Sequence, residues 1–162
     1  MRVYLPVTLP ELAAAHASGA FPDGTPAHAV TPTMREWYVE GDLEELEYAA
    51  LTEAAEASLR RIAALDGVVR RRVVVAADVP DEAVRPAPDE IFRSAVRLSG
   101  PVPLDAVASV HVDEREAEPV MMAAVAALPA ADAGDDDAQF LLDEAEATEL
   151  LWYDVSEIPD LA

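Results

Sequence analysis

The chain has no cysteine, no lysine and only 6 glycines, and no apolar run in it is long enough to span a bilayer. Without cysteine there is no disulfide, no thiolate metal site and no cysteine nucleophile, so stability rests on packing, as suits a reducing compartment. The opening Met1-Arg2-Val3-Tyr4-Leu5-Pro6 lacks the charged-then-apolar layout of a signal peptide. These absences point to a cytoplasmic protein. So few glycines leave little material for phosphate-cradling loops, and neither G-x-G-x-x-G nor G-x-x-x-x-G-K occurs. G-x-S-x-G and H-E-x-x-H are missing too. No cofactor and no catalytic residue is therefore assigned, and a noncatalytic role is favoured.

What is present is acid. The 32 aspartates and glutamates outnumber 11 basic residues, all of them arginine, for a formal net charge of −21. Such a charge opposes nonspecific binding to nucleic acid or anionic lipid, since both attractions come from neutralising phosphate. The missing lysine beside abundant Ala, Arg and Val points to a GC-rich genome. With 162 residues and a 52% hydrophobic share the chain has the size and the apolar material for one packed domain.

Alternation of Val3, Leu5 and Val7 with Arg2, Tyr4 and Pro6 predicts a half-buried first strand. Thr8-Leu9-Pro10-Glu11 then predicts a capped helix that Gly19 stops, and Thr31-Pro32 a second start. Asp42 to Glu45 opens the longest helix, to about Leu65, with an expected apolar stripe of Tyr48, Leu51, Ala55, Leu59 and Ile62. Val73-Val74-Val75-Ala76-Ala77 reads as a central strand covered on both faces. Further strands are expected at Ile91 to Leu98 and Val107 to Val112, with Asp113 capping the helix that follows. The expected fold is one α+β domain over residues 1–162, loose from about 156. It is a mixed or mainly antiparallel sheet of four to six strands with helices mostly on one face.

Two constellations are weighed for chemistry. Asp132, Asp135, Asp136 and Asp137 are weak metal candidates, because hard cations take several carboxylates; the spacing is wrong for an EF-hand, and helix capping explains the run better. His111 and Asp113 share one side of a strand, with Ser109 two residues away, but no activated nucleophile accompanies them. The stronger candidate is a sheet face carrying Arg93, Arg97, Ser109 and His111, which would suit an anionic ligand or a partner. Cross-strand pairing of these arginines with surplus carboxylates is the plainer expectation.

The segments Val30-Thr31-Pro32-Thr33-Met34-Arg35-Glu36-Trp37-Tyr38, Glu44 to Ala50, Val75 to Val79 and Glu149-Leu150-Leu151-Trp152-Tyr153 resemble an uncharacterised family of small acidic actinobacterial proteins. The likeness spans nearly the whole chain and implies a bacterial, cytoplasmic single domain, with no activity or cofactor to transfer. Function is thus open. A protein-binding or regulatory role with a protein partner or self-association leads; a small-ligand binder or enzyme using an anion-binding sheet face, and an acidic nucleic-acid mimic, are the alternatives.

Overall fold

In the computed structural model, which describes residues 1–89 and 91–161, the predicted first strand is β1 (Arg2–Val7). It pairs with β3 (Ala27–His28) on one side and β4 (Val73–Asp78) on the other. Outward from these lie β6 (Ala95–Leu98) and β5 (Val84–Pro86) at one end, and β8 (Val107–Val112) and β9 (Leu151–Tyr153) at the other. Every pairing is antiparallel, in the order β5-β6-β3-β1-β4-β8-β9. A separate pair joins β2 (Ala20–Phe21) to β7 (Val102–Pro103). The main sheet therefore has seven strands among the described residues, more than the four to six expected. The seventh is β5, three residues ending in proline and too short to show a period of two in the sequence.

The sheet is covered on both faces. Val3, Leu5 and Val7 meet Val73, Val75, Val110 and Val112 under α1 (Leu9–Ser18), the β2–β7 pair and α6 (Ile158–Leu161). On the opposite face Tyr4, Val74 and Ala76 pack against α3 (Leu43–Ala64) and Met34 of α2 (Pro32–Trp37). Beyond α3, α4 (Glu118–Asp132) and α5 (Asp136–Ala147) form a further layer through Leu59, Met121, Leu128 and Leu142. Four helices thus lie on the α3 side, and α1 and α6 occupy the other. The chain from 155 to 161, expected to be loose, forms a 3-10 turn and α6, because Ile158 inserts into the core at 0% exposure.

Local chemistry explains the helix ends. Thr8 and Glu11 form a complete capping box, and Gly19, at φ 91°, closes α1 in the left-handed region. Thr31 and Asp42 cap α2 and α3 with their side chains. The stripe expected on α3 holds at Ala55, Leu59 and Ile62, which are buried, but Leu46, Ala50, Ala54 and Ser58 also face inward and Tyr48 is exposed. Alanine lets the helix approach the sheet closely, and a pattern search that weights large apolar residues misses that face. Ser58 also joins the layers, donating to the Val7 carbonyl and accepting from the Val73 amide.

Asp113 does not cap a helix. It is fully buried, takes Nε and Nη2 of Arg72 on its two oxygens at 2.9 and 2.8 Å, and accepts the Arg72 amide as well. Arg72 Nη2 donates in addition to the Thr148 carbonyl, which ties the start of β4 and the end of β8 to the end of α5. Removing one partner of such a pair leaves a buried charge uncompensated and costs about 3–5 kcal/mol. Asp113→Asn is therefore expected to lower the unfolding free energy by that amount in urea titrations. Replacing both partners by Met and Leu is expected to cost markedly less; an equal or greater loss in the double variant would contradict this reading.

A second buried polar group sets an acid limit. His28 Nδ1 meets Ser94 Oγ at 2.7 Å with Phe92 edge-on to the ring, and burial holds the His28 pKa down at about 4, only partly offset by Asp89. Because an unfolded histidine titrates near 6.5, the unfolded chain binds the extra proton first as pH falls. The His28 contribution is intact above about 6.5 and is lost at up to about 1.4 kcal/mol per pH unit down to about 4. Nearby Glu53, its pKa raised by burial, acts in the opposite sense. Urea titrations across this range are expected to show a steeper loss for the native protein than for His28→Asn, and parallel profiles would refute it.

Candidate functional site

The short β5–β6 hairpin places Arg85 directly opposite Arg97. Val96 and Leu98 face the α1 side of the sheet, so Arg97 and its cross-strand partner Arg85 project on the α3 side, where Arg97 is exposed. Arg93, two residues before β6, is held by its backbone: its amide donates to Glu53 and its carbonyl accepts from Thr31. Its guanidinium lies 3.6 Å from the centre of the Trp37 ring, a cation–π contact on a tryptophan that is 61% exposed. Arg93 lies in the turn that leads into β6, where the Ala95 amide closes on the Phe92 carbonyl, and Arg97 lies within the strand.

None of Arg85, Arg93 and Arg97 forms an ion pair with a carboxylate among the described residues, whereas Arg2, Arg60, Arg61 and Arg72 all do. Cross-strand neutralisation, the plainer expectation, thus fails at Arg97, whose partner across the ladder is another arginine. Like charges directly opposite one another in a sheet are destabilising. The pair persists in a chain with 32 acidic residues to choose from. Exposed apolar side chains adjoin these arginines in sequence: Tyr38 and Val39 follow Trp37, and Ile91 precedes Arg93 by two. Proline at the end of β5 removes a donor from the outer strand and disfavours strand addition there.

Ser109 and His111 share the sheet face of Arg97 but not its surface. They pair with Ala76 and Val74, four strand spacings from β6 or about 19 Å, and α3 lies across the strands between. Ser109 Oγ and His111 Nε2 are 2.9 Å apart. Burial lowers the His111 pKa, with a smaller contribution from Arg2, so the ring is neutral. Ser109 is only 6% exposed and Asp113 is committed to Arg72, which leaves the pair without an accessible nucleophile or an orienting carboxylate. His111 instead borders a cleft of about 220 Å³ between α3 and the end of α5.

The aspartate run is distributed among structural tasks. Asp132 binds Arg60 in a bidentate ion pair at 2.9 Å, Asp135 caps α5 through the Ala138 amide, and Asp136 and Asp137 occupy its first turn. No group of three or more His, Asp or Glu side chains among the described residues is arranged to hold a metal ion. No helix among them is long and apolar enough to cross a membrane.

Sequence reasoning missed Arg85 and Trp37 as companions of Arg93 and Arg97. The proline-rich stretch around Arg85 shows no sustained strand alternation, and Trp37 is 61% exposed on a helix of six residues. The alternation of Arg85 and Arg97 with apolar neighbours was the available signal, spread over strands of three and four residues.

A model of a family of unknown function, DUF6912, matches residues 1–162. The chain belongs to DUF6912. No curated protein and no solved structure matches it. In this DUF6912 chain the arginine pair is a standing electrostatic cost, so Arg85→Glu is expected to raise stability by a few tenths of a kcal/mol to about 1 kcal/mol at low salt. The gain is expected to shrink as salt is added. Urea midpoints at two ionic strengths check this, and a loss of stability at low salt would show that Arg85 is already neutralised.

Proposed function

We propose that the protein is a noncatalytic binding protein that docks an acidic segment of another protein on the Arg85–Arg93–Arg97 end of its sheet. The unneutralised Arg85–Arg97 pair carries this reading. Two guanidiniums held side by side in a strongly acidic chain are complementary to carboxylates arriving from outside. Trp37, Tyr38 and arginine are the residue types that dominate interface energies, and they lie here on an open surface. The overall negative charge disfavours phosphate-dense partners, which are repelled beyond the reach of these few arginines. Many surplus acids already serve as helix caps, which supports this reading over a nucleic-acid mimic.

The test is fluorescence polarisation with a display-selected panel of labelled acidic peptides, some with and some without an aromatic residue, beside duplex DNA and anionic vesicles. Acidic peptides are expected to bind, with affinity falling as salt rises. Arg85→Glu/Arg97→Glu is expected to weaken binding at least about tenfold, a change of about 1.4 kcal/mol, without loss of folding. Binding that is indifferent to these substitutions, or confined to DNA or vesicles, would reject the proposal.

A further inference from the structure

The cleft beside His111 lies at the other end of the sheet and has a different character. Arg72 forms part of its floor and is 3% exposed. Nε and Nη2 of that guanidinium are taken by Asp113 and Thr148, while Nη1 makes no hydrogen bond among the described residues. No buried side-chain nitrogen or oxygen among these residues lacks a partner, so Nη1 keeps some accessible surface, and Arg72 borders both this cleft and a smaller one between α3 and α5. The guanidinium is thus held by two neighbours, with Nη1 left as a donor for an oxygen acceptor.

The surrounding charge selects a cation. Asp113 neutralises Arg72, the His111 ring is neutral, and Glu146 and Glu149 line the far wall. Glu56 lies close behind, its pKa raised mainly by burial and further by the charges of Glu146 and Asp132, against the lowering effect of Arg60. The last carbonyls of α5 add the negative end of a helix dipole. On the opposite wall Tyr48 offers an aromatic ring that is 67% exposed, and Trp152, paired with His111 on β9, stands on the same face of the sheet. A volume of about 220 Å³ admits only a small molecule.

From this juxtaposition we infer that the cleft is a binding site for a small primary-ammonium compound that carries an oxygen acceptor a few bonds away, the chemistry of a free amino acid or an amino alcohol. The ammonium lies against Glu146, Glu149 and the Tyr48 ring, and the oxygen accepts from Arg72 Nη1. This inference is independent of the arginine end, because neither the residues nor the ligand charge are shared with it.

The experiment is a thermal-shift and NMR titration of the full chain with the proteinogenic amino acids and ethanolamine at millimolar concentration, each beside its N-acetyl counterpart. At least one free amine is expected to raise the melting temperature by mass action and to move the backbone signals of Tyr48, His111 and Thr148. The N-acetyl compounds are expected to do neither. Glu146→Gln/Glu149→Gln removes charge from the negative end of α5, so the fold tolerates it, and its affinity is expected to fall at least about tenfold. The Arg85→Glu/Arg97→Glu variant is expected to bind the amine as the native protein does. Silence across the whole panel, equal binding of N-acetyl compounds, or full binding by the Glu146/Glu149 variant would each overturn the inference.

Discussion

Arg72 and Asp113 form the one charged pair in the described interior, and three parts of the chain meet on it. Arg72 leads into β4, the central strand of the Val73–Asp78 run; Asp113 ends β8; Thr148 ends α5. The backbones close the same junction, with the Asp113 amide on the Arg72 carbonyl and Arg71 Nε on the Asp113 carbonyl. A desolvated ion pair is stable only when its remaining donors and acceptors are also met. The requirement for a partner on Nη2 therefore seats the end of α5 against the sheet, and the cleft is the space left beside that seat.

The same bookkeeping of charge explains why the two ends of the sheet differ. At the β8–β9 end the arginine is neutralised and the surrounding carboxylates are in excess, so the surface favours ammonium. At the β5–β6 end Arg85 stands opposite Arg97 and Arg93 lies over Trp37, the surface proposed to take carboxylates. Between them α3 lies on an alanine-rich face that brings it close to β1, β3 and β4 and separates the two surfaces. A net charge of −21 is thus a poor guide to what any one patch attracts, because exposed charges act over about a Debye length.

Much of the frame was legible from residue order. β1, α1, the length of α3 and the central valine strand all follow from periodicity and capping chemistry. The docked C-terminal turn was not legible, since Ile158 looks like any apolar residue in a polar stretch until a core pocket receives it. Of the candidate site, Arg93, Arg97, Ser109 and His111 were visible as charged and polar residues in expected strands. Their separation was not, because strand order decides distance across a sheet and no local pattern encodes it.

The sequence by itself determined the α+β class, the capped helix starts, the apolar centre of the sheet and the exclusion of cysteine chemistry, since each depends on neighbours within a few residues. Only the tertiary structure decided that Asp113 holds Arg72 and caps no helix, that Arg97 meets Arg85 and no carboxylate among the described residues, and that His111 opens onto a cleft. Those outcomes depend on contacts between residues 12 to 76 positions apart, made by strand register and helix docking, which are properties of the whole packed chain.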